Sequence, residues 1–204
     1  AGKSTLARLT AKEFGLIYVD TGALYRSVGL FALRRNVASK DEENVVLLLT
    51  EINIDMRYDA EGLQRMILNG EDVTDEIRKP EVSIYASDVS AMPPVREFLL
   101  STQREMAQKN DVIMDGRDIG TVVIPNAGLK IFLTAQPEER ARRRYRELTE
   151  KNIAVTYDEV LRDIEYRDKN DSERCTAPLK AAPDAIHVDT TGKSVVVDWY
   201  YKVK

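Results

Sequence analysis

The chain has 204 residues, with 30 Lys and Arg against 34 Asp and Glu for a formal net charge of −4, one cysteine (Cys175) and one histidine (His187). That length supports one α/β domain with small insertions, and single Cys and His residues exclude disulfide frameworks, Cys/His zinc sites and histidine-based triads. The acidic balance weighs against nucleic acid as the main ligand, and no apolar run is long enough to cross a bilayer. Nothing at the start resembles a secretory signal, so the expected compartment is the cytoplasm. No exposed apolar stripe demands a dimer, so the expected state is a monomer.

In chain order, a helical pattern over Leu6 to Phe14 opens the sequence. Leu16 to Asp20, Val112 to Asp115, Lys130 to Thr134 and Ala185 to Asp189 read as short buried strands. Alternation with helices predicts an α/β fold: a parallel sheet flanked by helices. The first three strands each end in a polar loop, and such loops line the ligand crevice of α/β proteins.

Two stretches interrupt the pattern. Ile52 to Tyr58, Gln64 to Leu68 and Asp72 to Thr74 read as antiparallel strands, with Asn69-Gly70 as a hairpin turn. Helical sequence follows from about Pro80 to Gln108, broken at Pro93-Pro94. The second interruption, Glu138 to Lys169, is charge-rich and reads as two helices joined near Lys151 to Tyr157. Pro137 marks the start of the first, and Thr156 is the expected N-cap of the second.

Four elements carry chemistry. Ala1-Gly2-Lys3-Ser4-Thr5, running into a helix, is the second half of a phosphate-binding loop. Glycine lets the backbone wrap a phosphate, lysine reaches the β- and γ-phosphates, a hydroxyl ligates Mg²⁺, and the helix contributes amides. The first glycine of the motif and its preceding strand are missing, so native residues are expected before Ala1. The other elements are Asp20-Thr21-Gly22-Ala23-Leu24-Tyr25-Arg26, Asp115-Gly116-Arg117-Asp118-Ile119-Gly120-Thr121 and Arg167-Asp168-Lys169-Asn170-Asp171-Ser172-Glu173-Arg174. Any one alone reads as a solvated patch or a structural Asp/Arg pair.

Together with Asn69 to Arg78, Ala86-Ser87, Pro94-Val95-Arg96 and Lys130 to Thr134, these elements resemble the bacterial cytidylate kinases over about residues 1 to 190. The resemblance implies a P-loop nucleoside monophosphate kinase fold with an antiparallel monophosphate-binding insertion and a helical lid. It divides the chain into core (1–50), insertion (51–100), core (101–143), lid (144–170) and core (171–204). The implied activity is transfer of the terminal phosphoryl group of ATP to CMP or dCMP, with Mg²⁺.

By resemblance, Gly2, Lys3, Ser4 and Thr5 handle ATP, and Ser4 holds Mg²⁺, with Asp20 and Asp115 acting through its waters. Lys3, Arg117, Arg174 and Asp115 form the catalytic set. Thr21, Arg26, Arg117 and Arg174 serve the acceptor and its phosphate, Ser87, Arg96 and Asp118 the cytosine, and Arg167 with Asp171 the pentose. Among Arg140, Arg142, Arg143, Arg144 and Arg146, Arg143 is the expected contact to ATP, while glutamates of the same helix offer partners to the rest. Cys175 is expected to be inert and His187 a core or edge residue.

One departure is the end, Gly192 to Lys204. An amphipathic helix is expected there, yet the sequence is β-branched and aromatic without helical period. Two rival readings remain: a kinase of the same fold acting on UMP, AMP or shikimate, and a nucleotide-switched binder of nucleic acid or protein.

Overall fold

The computed structural model describes residues 2–193. Its first helix, α1 (Lys3–Phe14), starts after Gly2 at φ 72° and ends on Gly15 at φ 65°, whose N–H returns to the carbonyl of Ala11. Strand β1 (Ile17–Asp20) leads directly into α2 (Thr21–Arg34), capped by the Asp20 carboxylate, which accepts from the N–H of Ala23. A short helix α3 (Glu42–Leu48), capped by Asp41, then precedes the antiparallel unit.

That unit is β2 (Ile54–Tyr58), β3 (Gln64–Leu68) and β4 (Glu71–Asp72), ordered β2-β3-β4. Asn69 (φ 51°) and Gly70 (φ 87°) both take the left-handed conformation that a two-residue hairpin with native twist requires. The expected third strand, Asp72 to Thr74, is shorter and earlier. The hydroxyl of Thr74 accepts the Met66 N–H at 2.8 Å and so replaces a ladder bond.

Pro80 and Pro93 start α4 (Pro80–Val89) and α5 (Pro93–Lys109), where a missing N–H removes no helical hydrogen bond. Strand β5 (Val112–Asp115) pairs with β1 in parallel, setting Asp20 opposite Asp115. Strand β6 (Ile131–Thr134) precedes α6 (Pro137–Glu150) and α7 (Tyr157–Glu173), and β7 (Ile186–Asp189) pairs with β6 in parallel. Thr156 and Glu159 form a reciprocal capping box at the start of α7.

The largest apolar cluster lies under the antiparallel unit. Leu24, Val28 and Leu30 of α2 meet Val45, Met66, Leu68, Val82, Val89 and Leu99. Gly29 allows this contact, because a Cβ there would lie 2.9 Å from the Ala86 N and 3.1 Å from Tyr85. The helix pair α6–α7 has a smaller cluster of its own: Ala141, Leu148 and Val160, with Tyr145, Ile153 and Leu161 against them.

The fold is the expected α/β one, parallel strands flanked by helices with an antiparallel insertion, and among the described residues the parallel strands pair as β1–β5 and β6–β7. The β6–β7 pair is less buried than its apolar sequence predicts: Ile131 is 49% and Ile186 52% exposed. His187 is exposed and lies against Phe132 with ring centroids 5.5 Å apart, an edge residue, and Cys175 is exposed. The expected C-terminal helix lies, beyond Lys193, outside the described residues. Among those residues no helix is long and apolar enough to cross a membrane.

Candidate active site

The site is assembled at the carboxyl ends of β1 and β5. Their parallel register puts Asp20 and Asp115 at one level, and the Thr21 hydroxyl donates to the Asp115 carbonyl at 2.8 Å, tying the two strand ends together. Gly116 follows in contact too close for any side chain: a Cβ would lie 2.5 Å from the Thr21 hydroxyl and 2.7 Å from Ile119. The chain after Asp118 then forms a wide π-type turn at Ile119–Val123. Such turns collect at functional sites, and Arg104 braces this one by donating to the carbonyls of Val122 and Val123.

Helix α1 packs on both strands, so its first turn, Lys3 and Ser4, meets the same end. Around Lys3 the structure gathers positive charge. The guanidinium of Arg117 and burial bring its ammonium down from 10.5 to about 7, Asp115 opposes this, and Arg167 and Arg140 add to the lowering. Arg167 is itself pressed down to about 10, first by burial and then by Arg117. Burial, then Arg96, likewise lowers Arg174.

Carboxylates compensate only part of this charge. Asp171 accepts from Arg117 Nε at 2.6 Å and lies 3.5 Å from Arg174, and Asp20 pairs with Arg26 at 2.6 Å and Arg78 at 3.6 Å. Among the described residues three buried arginine nitrogens lack a hydrogen-bond partner: Arg26 Nε, Arg167 Nε and Arg174 Nη2, the last with only the Asp118 carboxylate 4.0 Å away. A buried unsatisfied donor on a cation is costly, and three together describe a place built for an anion.

Beside them lies a second group. Arg96 donates to Asp118, both side chains buried, and its other terminal nitrogen donates to the Ser90 carbonyl at 3.0 Å. Arg174 reaches Asp118 at 4.0 Å and the Ser90 hydroxyl at 3.3 Å. Ser87, one turn from Ser90, accepts from Asn170 at 2.9 Å. Arg96, Asp118, Arg174, Asp171 and Arg117 thus form one continuous polar network, with Ser87 alongside.

Three of the residues expected to serve ATP and its metal have partners within the protein. Asp20 is occupied as the α2 cap and by Arg26, whereas Asp115 accepts from the Tyr18 hydroxyl at 3.0 Å. Arg143 turns to Glu139 at 2.8 Å and donates to the carbonyls of Thr190 and Lys193 at 2.7 and 3.0 Å. Arg140 adds to the positive charge that lowers Lys3, and it pairs with Asp168 on α7.

Sequence reasoning missed Tyr18, Gln64 and Arg78. Burial and the carboxylates of Asp20 and Asp115 raise the Tyr18 phenol, so it stays a donor and fixes Asp115. Gln64 exchanges hydrogen bonds with the backbone of Asp20 at 2.8 and 3.3 Å, locking the antiparallel unit to β1. The Arg78 carbonyl accepts from Arg144 of α6 at 3.3 Å, bridging the two interruptions across the site. An inward position on a strand was the only signal for Tyr18 and Gln64.

The family model for cytidylate kinase matches residues 1–198. The chain is similar to a cytidylate kinase of Caldicellulosiruptor bescii at 50% identity, over 100% of this chain and 92% of that protein. It is 51% identical to a cytidylate kinase of Caldanaerobacter subterraneus over 94% of this chain and 83% of that protein. It is 49% identical to one of Carboxydothermus hydrogenoformans over 96% and 87%. Matched by that family model along nearly its whole length and about half identical to several curated members, the chain belongs to the cytidylate kinase family.

Proposed function

We propose that the chain transfers the terminal phosphoryl group of ATP to CMP or dCMP, giving ADP and CDP or dCDP. The observation that carries this is the set of three buried arginine nitrogens without a hydrogen-bond partner, together with a lysine brought down to about 7 by Arg117 and burial. Two nucleotide phosphates supply the missing negative charge. Phosphoryl transfer needs mainly positioning and cations around the moving group, and neither a histidine nor a cysteine nucleophile is required.

Lys3 follows the transferring group, and Gly2, Ser4 and Thr5 wrap the ATP phosphates. Arg26, Arg117 and Arg174 hold the acceptor phosphate, with Thr21 at its edge, and Arg167 with Asp171 takes the pentose. Mg²⁺ fits a donor set of one hydroxyl, Ser4, with Asp115 reached through water, since the ion keeps most of its shell from phosphates and water. When bound, it neutralises charge on the phosphates. Asp115, held by Tyr18, is the better placed of the two carboxylates for that role, as Asp20 is engaged by Arg26.

Selection of the base follows from polarity. An ionised Asp118 only accepts, which suits the amino group of cytosine, and Arg96 only donates, which suits the ring nitrogen. Uracil presents the opposite pattern. Residues 51–100 act as the monophosphate-binding insertion and 144–170 as a lid that closes to exclude water. The protein works as a cytoplasmic monomer.

The test is ADP release at fixed ATP against a panel of CMP, dCMP, UMP, AMP and shikimate, with Lys3→Met beside the parent. CMP and dCMP should lead the panel, and Lys3→Met should lower kcat by several orders of magnitude with the fold retained. Activity within about tenfold of the parent, only about 1.4 kcal/mol of transition-state stabilisation, would contradict the role of Lys3.

A further inference from the structure

The face of α7 next to the arginine face is turned onto α4. Tyr166 and Asn170 stand one helical turn apart, and they meet adjacent residues of α4. The Tyr166 hydroxyl donates to the Asp88 carboxylate, whose other oxygen accepts from Ser39 at 2.6 Å. The Lys40 ammonium sits 5.3 Å from the Tyr166 ring centroid, closing the anchor from the α2–α3 connection. The Asn170 amide uses its nitrogen twice, donating to the Ser87 carbonyl at 2.8 Å and to the Ser87 hydroxyl at 2.9 Å.

Arg167 and Asp171 follow at the next positions round the helix, at i and i+4, and Arg174 is the extended residue that ends it. Docking Tyr166 and Asn170 on α4 therefore sets the rotation at which Arg167 and Asp171 face the phosphate site. It also acts on Ser87 itself. A serine hydroxyl in a helix turns freely, and its usual resting place is the carbonyl one turn back. An amide proton delivered to the oxygen takes one lone pair and favours a single orientation of the hydroxyl.

We propose that Asn170 is a positioning residue for substrate recognition: held in register by the Tyr166–Asp88 anchor, it orients the Ser87 hydroxyl toward the base. This rests on the reading that Ser87 faces cytosine. The residue acts through another side chain, so its loss should weaken acceptor binding without slowing the transfer itself.

The test is steady-state kinetics with ATP and CMP on the parent, Asn170→Ala, Ser87→Ala and the double variant, with thermal melts of each. Asn170→Ala should raise KM for CMP about tenfold, the order of one hydrogen bond, with kcat within about twofold. In the Ser87→Ala background the same change should move KM by less than about twofold, because the group it orients is gone. A further tenfold rise in the double variant, or a fall in kcat matching the rise in KM, would overturn the proposal. Tyr166→Phe, which removes one hydroxyl, repeats the test if the Asn170 variant does not fold. It should raise KM for CMP about threefold, and an unchanged KM would count against the anchor. A parent that makes no ADP with CMP would instead remove the functional reading and this inference with it.

Discussion

Lys3 offers a measurement that needs no turnover. With Arg117, Arg167 and Arg140 around it in the ligand-free site, its ammonium titrates at about 7 rather than 10.5. At pH 8, one unit above that value, about one molecule in eleven carries the proton. A bound polyphosphate outweighs the arginines and restores the charged form, so binding at pH 8 should take up about 0.9 proton, and at pH 6 almost none. The sign follows from linkage: the bound state holds the proton and the free state has lost it, so affinity falls as pH rises above about 7, by up to about tenfold per unit. Folding of the empty protein runs the other way. The unfolded chain keeps the proton up to 10.5, so this group's contribution to stability rises with pH from about 7 to 10.5. The assay is titration calorimetry with a non-hydrolysable ATP analogue and Mg²⁺ in two buffers of different ionisation enthalpy, where the slope gives protons taken up. Lys3→Met serves as the control and should lose the pH 8 uptake. A slope of zero at pH 8 in the parent, or an equal slope in Lys3→Met, would refute the reasoning.

Asp118→Asn should narrow the ratio of kcat/KM for CMP over UMP by about tenfold or more, because an amide can present either polarity to the base, at about 1–3 kcal/mol per mispaired buried group. An equal loss on both substrates would mean that Asp118 does not read the base. The amide is a better probe than Ala, which would leave Arg96 without its buried partner and destabilise the fold by about 3–5 kcal/mol. Gly29→Ala should destabilise by about 1–3 kcal/mol, since the new Cβ meets backbone of α4 at 2.9 Å and the helices must separate. An unchanged melting temperature would show that α2 and α4 are not packed this closely.

Much of the architecture was legible in one dimension because it depends on neighbours in the chain. Gly15, Pro80, Pro93, Pro137 and Thr156 set helix ends through local backbone geometry, and Asn69-Gly70 makes the hairpin by itself. Lys3, Arg117, Asp118, Arg167 and Arg174 were legible through the resemblance that their motifs carry together, since each motif alone reads as a solvated patch or a structural pair. Contacts between elements decided the rest. Which partners Arg140 and Arg143 take depends on the rotation of α6, and helical periodicity leaves both on one face. Tyr18 is a β-strand aromatic until β5 brings Asp115 to its hydroxyl. Asp20 reads as a free carboxylate in sequence, and the fold brings Arg26 and the start of α2 to its oxygens. The burial of a strand is likewise a property of what packs on it, so apolar β6 and β7 looked internal and are partly exposed. The sequence by itself determined which groups carry charge and which residues end a helix, since both are local. Only the tertiary structure decided which charges meet, because Coulomb and hydrogen-bond energies depend on distances between residues far apart in the chain.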